Sequence, residues 1–388
     1  MTLPSTQSTP PVRPRRPAGR LPVILIAVAA VMAAVLAAGG IYWWTALRVP
    51  PVEDLPDAAP TGTTGWQSGV WTGGEWGAQR VADFAAWRGS PADTAVTYPA
   101  YDTWNDLQFN SDWHVQVFNG FPGTLVYGLP LLPKEVTSGG GLERVAAGEH
   151  DAAFIAVADT LARHGRENSY IRIGLEANGD WFPWGAGREY NSPEAFKAAF
   201  RHVAGLLKAR LPEARIVFDI SAGSPIHNQQ DRLDPLTELY PGDDVVDVVG
   251  VDHYDHYQLI APTRDRFQRA LRPARAAGLQ DALDFARAHG KKVAVPEWGL
   301  TARDREGGGD NDFFIYQMYA WFSANAADLA FENYFNEPQE YLQSSIWQNV
   351  QNPAAAQEYR TLWSRRPAPS GEASGGGSAV SPSPSAGG

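Results

Sequence analysis

The sequence predicts an α/β chain folded as a (β/α)8 TIM barrel. Three observations carry this. Eight short apolar runs alternate with helical segments along the chain, which is the pattern of a parallel sheet with crossover helices. Eight is the number of strands that closes a barrel. The first run is not followed by a Gly-rich turn of the dinucleotide type, so an open doubly wound sheet lacks its usual sign. At 388 residues the chain has room for one barrel-sized domain of roughly 250–300 residues and its core.

The elements follow in order. The runs read as strands are 68–71, 94–98, 124–130, 170–175, 215–220, 245–251, 292–296 and 329–335. They are short, apolar and rich in β-branched and aromatic residues, as strands buried on both faces are. The segments between them read as helices are 78–87, 104–107, 150–164, 192–211, 279–289, 312–326 and 354–363. Phe154, Val157, Ala158 and Leu161 fall at helical spacing. Ser192 followed by Pro193 is a helix start, with an N-cap and a proline in the first turn. The sequence shows no internal repeat of 20–50 residues.

The two ends have different compositions. Residues 1–20 are rich in Pro, Ser and Thr and carry Arg13, Arg15, Arg16 and Arg20. Residues 21–44 contain no charge. As a helix they would be about 36 Å long, enough for a bilayer core of ~30 Å. The preceding arginines place the N-terminus in the cytoplasm and the remainder outside. A basic cytoplasmic tail (1–20) and a transmembrane signal anchor (21–47) are therefore expected, followed by a Pro-rich linker (48–64). The barrel domain is expected at 65–365, and the Gly/Ser/Pro tail 366–388 is expected to be disordered. A cleaved signal and secretion is the alternative to the anchor, because Leu36-Ala37-Ala38 is a possible cleavage site.

Composition excludes some chemistry. The net charge is −11, which argues against nucleic acid as a partner. There is no cysteine, so disulfides, thiolate metal sites and a cysteine nucleophile are excluded. The run Asp252-His253-Tyr254-Asp255-His256-Tyr257 gathers two histidines and two aspartates. Alternate strand residues point to opposite faces, so neither a metal nor another cofactor is expected there. Ser138-Gly139-Gly140-Gly141 lacks the Lys-Ser or Lys-Thr of a phosphate loop. The loop 307–312 reads as a lead-in in which Asp310 or Asp312 caps the next helix; a mobile lid is the alternative.

The site signal lies at two strand ends. Ile171-Arg172-Ile173-Gly174-Leu175-Glu176 runs into Ala-Asn-Gly-Asp-Trp-Phe-Pro-Trp-Gly, and Val293-Ala294-Val295-Pro296-Glu297 runs into Trp298-Gly299. In a barrel, strand C-termini build the site. Two carboxyls beside aromatic faces suit glycosidic-bond chemistry, in which one acid donates a proton and one carboxylate attacks. Either glutamate could instead pair structurally with Arg172.

These segments resemble glycoside hydrolase family 26, the β-mannanase family. Glu-Ala-Asn-Gly-Asp-Trp-Phe-Pro-Trp-Gly is similar to its acid/base segment and Val-Ala-Val-Pro-Glu-Trp-Gly to its nucleophile segment. Val-Val-Gly-Val-Asp-His-Tyr resembles a third signature. The resemblance spans about residues 66–364. It implies retention of configuration, with Glu176 as acid/base and Glu297 as nucleophile. Family members usually carry His before the acid/base Glu, and here Leu175 takes that position.

Further site expectations attach to single residues. Tyr254 and Arg172 are expected to hold Glu297. Trp181 and Trp184 are expected as stacking platforms or core aromatics, and Trp298 in the same pocket. Asn178 either bonds a sugar hydroxyl or holds its loop. The expected function is a retaining, endo-acting hydrolase of a β-linked polysaccharide at the cell surface, monomeric and membrane-anchored. The alternatives are processing or transglycosylation of the cell's own polymer, and a non-catalytic glycan-binding module.

Overall fold

The computed structural model describes residues 49–57, 60, 62–73, 77–226, 234–274 and 276–369. The expected anchor at 21–47 and the tail from 370 onward lie outside the described residues. Among the described residues no helix is long and apolar enough to cross a membrane.

The strands are β1 (Gln67–Trp71), β2 (Thr94–Thr97), β3 (Thr124–Leu129), β4 (Tyr170–Ile173), β5 (Arg215–Ser221), β6 (Val248–Asp255), β7 (Lys292–Leu300) and β8 (Leu329–Phe335). They form a closed barrel in sequence order. Every neighbouring pair is parallel, and β8 closes on β1 with Gln67 opposite Phe331. The helices are α1 (Ala78–Arg88), α2 (Trp104–Phe109), α3 (Ser111–Gln116), α4 (Gly141–Ala146), α5 (Asp151–Arg163), α6 (Pro193–Arg210), α7 (Pro235–Leu239), α8 (Arg264–Leu271), α9 (Leu279–Ala288), α10 (Asp312–Ala324) and α11 (Pro353–Trp363). The barrel expectation is met, strand by strand. The helices α3, α4, α7 and α8 are additional to the sequence reading. They have eight residues or fewer, too short for a helical apolar period to register.

Local chemistry explains the element starts. Ser192 caps α6 by accepting from the Ala195 N–H at 3.1 Å, with Pro193 in the first turn. Thr103 and Asp106 form a reciprocal capping box at α2. The lead-in to α10 is capped by Asn311, which accepts from the Phe314 N–H at 3.1 Å. Asp310 instead accepts from the Ala354 and Ala355 N–H groups at 2.9 Å each. It therefore serves α11, the last helix, and not the next one. Gly141 opens α4.

The core has two layers. Strand residues that face outward, such as Ile171, Ile173, Phe218, Val249, Val293 and Val295, pack against the helices. Inward residues Val96, Val126, Tyr170, Val217, Val248, Ala294 and Phe331 fill the barrel. Above that apolar plug lies a charged layer, Arg172, Asp219, Asp252 and Glu297, which points toward the C-terminal mouth.

The register of β7 shifts. Gly250 pairs with Ala294, but His253 pairs with Trp298, so β7 holds one extra residue across that stretch. A bulge of this kind re-aims side chains. Strict alternation from the inward Ala294 would send Glu297 outward and Trp298 inward. The extra residue reverses this, and Glu297 faces the barrel mouth.

The chain ends of the domain also make contacts. Arg366 donates to Asp93 at 2.7 Å, and Gly65 bridges Pro369. In the Pro-rich segment before the barrel, Glu53 accepts from the Arg264 N–H at 2.8 Å.

Candidate active site

Glu297 sits in a net of donors. The Arg172 Nη1 reaches its Oε1 at 2.6 Å, and the Tyr254 hydroxyl donates to Oε2 at 2.8 Å. The Tyr98 hydroxyl also donates to Oε1 while it accepts from Arg172 Nη1 at 3.2 Å. The Glu297 N–H donates to Asp252 at 2.9 Å. Arg172 is fully buried and is shared with Asp219, at 2.5 Å, and with Asp252. Such an array fixes the rotamer of the side chain and satisfies both of its oxygens. Burial, and then the charge of Glu297, push the Tyr98 and Tyr254 hydroxyls well above the usual tyrosine range. Both therefore remain donors.

Glu176 has the opposite surroundings. It lies three residues past β4, in a turn that Gly174 (φ 55°) makes possible. A Cβ on Gly174 would fall 2.7 Å from Leu131. Glu176 itself has φ 49°, a left-handed conformation that costs a non-glycine residue about 1–2 kcal/mol. Asp219 holds the turn by accepting from the Glu176 N–H at 2.7 Å. The side chain accepts one hydrogen bond, from Trp181 Nε1 at 2.6 Å. Its carboxyl is pushed up to about 8, first by burial and then by the charge of Glu297; the Trp181 bond opposes the rise. Near neutral pH this group holds its proton.

The two glutamates line one cavity of about 370 Å3 at the C-terminal mouth. Its other walls include Trp71, Tyr98, Tyr101, Leu175, Trp181, Phe182, Tyr254, Phe335 and Tyr341. Its charged lining residues are Glu176 and Glu297. Among the described residues no cluster of three or more metal-ligating side chains exists.

Several expected contacts fall elsewhere. Trp298 is fully buried on the outer face of β7, where its Nε1 donates to Glu332 at 2.6 Å and its ring stacks on Trp363; it does not line the pocket. Asn178 is also fully buried. It donates to the Ser221 and Ser224 carbonyls and accepts from the Ser221 N–H at 2.8 Å, so it pins the loop to β5 and has no free group for a sugar. Arg172 holds the carboxylates and is sealed from the cavity. Trp184 borders the cavity but is buried: its Nε1 donates to the Leu175 carbonyl at 2.8 Å and Phe182 stacks on it at 4.6 Å. Trp181, 42% exposed, keeps a face on the cavity.

The sequence reading passed over Tyr98, Trp71, Tyr101, Phe335 and Tyr341, as well as the Asp219–Asp252 pair. Their one sequence signal is position, since most end a strand or follow one. The outward partner of Tyr254 is His253. Its ring is buried without a hydrogen-bond partner, stacks on Phe314, and has its pKa depressed to about 3 by burial.

A closed barrel with two glutamates on one cavity at its mouth is an arrangement suited to glycosidic-bond chemistry. The family resemblance is borne out: the profile of glycosyl hydrolase family 26 matches residues 154–291. That stretch contains Glu176 and ends just before Glu297. The chain is 32% identical to Endoglucanase H of Acetivibrio thermocellus over 111 residues, 28% of this chain and 12% of that protein. It is 30% identical to a mannan endo-1,4-beta-mannosidase of Bifidobacterium adolescentis over 149 residues, 37% of this chain and 14% of that protein. The matches thus span about one eighth of these relatives. Among solved structures, a Cellulomonas fimi endo-beta-1,4-mannanase double mutant superposes with TM-score 0.57 at 18% identity, covering 82% of this chain and 77% of that one. A Bacillus subtilis mannanase gives 0.53 at 16%, covering 79% and 87%. These two show the same fold.

Proposed function

We propose that the protein is a retaining, endo-acting hydrolase of a neutral β-linked polysaccharide. One observation carries the reading: two glutamates on one cavity, one with a single donor and protonated near neutrality, the other met by an arginine and two tyrosines. Glu176 protonates the glycosidic oxygen. Glu297 attacks the anomeric carbon and forms a glycosyl-enzyme, which is the two-step retaining route. Glu176, having lost its proton, then draws one from the incoming water. Tyr98 and Tyr254 hold the attacking oxygens, and Trp181 holds the acid. Among the described residues no cation lines the cavity beside the two carboxyls, which favours an uncharged sugar over a uronate.

Glucan and mannan are the substrates to test first, because the relatives bear endoglucanase and mannosidase names. Leu175 lines the cavity and offers a sugar hydroxyl no hydrogen bond, so mannan is expected to be a poor substrate. The full chain is assayed on mannan, mixed-linkage glucan and xylan, comparing kcat/KM. Efficient mannan hydrolysis would free specificity from Leu175. No turnover on any neutral β-glycan would remove the proposed function.

The location proposed is the outer face of the cell membrane, with the apolar run at 21–47 as anchor and arginines on its cytoplasmic side. An anchored enzyme suits a polymer of the same cell better than a scavenged one.

A further inference from the structure

Behind the cavity wall lies a third carboxylate, Glu337, two residues past β8 and only 2% exposed. Its main chain is locked: the N–H donates to Ser344 Oγ at 2.9 Å and the carbonyl accepts from the Ser344 N–H at 2.8 Å. Its Oε1 accepts from the Gln339 N–H at 3.0 Å. Its Oε2 accepts from Trp71 Nε1 at 3.2 Å. Burial, and then the charge of this carboxylate, raise the pKa of the neighbouring Tyr341 hydroxyl. Among the described residues Glu337 has no recorded ion pair. An ionised carboxylate only accepts, and here every partner is a donor.

Trp71 and Tyr341 are aromatic walls of the cavity that arrive from different parts of the chain. Trp71 ends β1, and Tyr341 lies in the loop after β8, with 61% of its surface exposed. Trp71 stacks on Phe335 at 5.6 Å and meets the ring edge of Tyr98 at 5.3 Å. Tyr98 in turn bonds Glu297. The Glu337 carboxylate holds the Trp71 Nε1, and its charge acts on the Tyr341 hydroxyl.

We propose that Glu337 is a positioning residue that clamps Trp71 and Tyr341 as the stacking wall for the sugar and so sets substrate affinity. The proposal rests on the glycosidase reading above. Flat aromatic faces meet the C–H faces of a sugar ring, and a ring free to rotate loses entropy when the substrate fixes it. The clamp places that ordering in the free enzyme.

The test uses the full chain with Glu337→Gln, Trp71→Phe and Tyr341→Phe, alone and in pairs. Kinetics are measured on a neutral β-linked tetrasaccharide that the unaltered protein cleaves, and binding by calorimetry. Gln must turn an amide N–H2 toward a donor, so KM is expected to rise about 10-fold, the scale of one lost hydrogen bond to a charged group. The fall in kcat/KM should be carried mainly by KM. Trp71→Phe and Tyr341→Phe should each reproduce part of it, and each should add less to Glu337→Gln than it costs alone. Unchanged KM and binding in a Glu337→Gln protein with unaltered melting overturns the clamp, as does full additivity of the pairs. If Glu337→Gln does not fold, the two Phe variants, which leave the turn intact, decide: no effect of either overturns it. An unaltered protein that neither binds nor cleaves any neutral β-glycan removes the glycosidase reading instead, and the clamp with it.

Discussion

The turn after β4 and the end of β7 each present a glutamate to the same cavity, and the two sites are built in opposite ways. Glu176 accepts one hydrogen bond and stands in a strained turn. Glu297 is gripped by an arginine and two tyrosines inside a strand. The side chains are chemically the same. Burial pushes the Glu176 carboxyl up, while donors meet both oxygens of Glu297. The lesson is that the proposed roles of acid and nucleophile rest on the surroundings and not on the residue type.

The largest break comes from removing the gripped partner. Glu297→Gln should lower kcat about 10^5-fold or more, because no glycosyl-enzyme can form. Steady-state assays on the natural polymer and on an activated aryl glycoside should both lose activity. Glu176→Ala should cost about 10^2–10^4-fold on the polymer, but much less on the aryl glycoside, whose leaving group needs little protonation. If both variants fail equally on the aryl substrate, the two roles are not separated as described.

A finer test changes the surroundings only. Trp181→Phe deletes the bond that lowers the Glu176 pKa. The proton is then held more tightly, so the basic limb of the kcat/KM–pH profile, which lies near the value of about 8 for Glu176, should move upward. A downward shift or none would show that Trp181 does not tune the acid.

The outer face of β6 provides the smallest effect. His253 has a pKa of about 3 in the folded state, against about 6.5 when unfolded. Between those values the unfolded chain binds more protons, so stability falls as pH drops through that window, by at most about 1.4 kcal/mol per pH unit. His253→Phe keeps the stacking shape and removes the titration. Thermal melts of both proteins should show the variant gaining on the parent at pH 5 relative to pH 8. Parallel melting curves would mean that protonation of His253 does not limit stability.

Much of this was legible in the sequence. The eight apolar runs mark the strands within a few residues, because burial on both faces demands uninterrupted apolar stretches. Ser192-Pro193 marks a helix start because capping is local. Glu176 and Glu297 stand out because strand ends with adjacent aromatics are local patterns as well. The short helices were not visible, since two turns carry too little periodicity. Asp310 was assigned to the wrong helix because its partners, Ala354 and Ala355, are 44 and 45 residues away.

What the sequence determined by itself is the order of the elements, the barrel and the two carboxylates, all set by patterns within a few residues. What only the tertiary structure decided is which side chains share a face. Arg172 meets Glu297 across 125 residues and Tyr98 meets it across 199. Trp298 lies outside the pocket and Glu297 inside it because β7 carries an extra residue between Ala294 and Trp298. Alternation along a strand has a period of two, so a single bulge inverts every facing beyond it. That inversion exists only in the pairing of β7 with its neighbours.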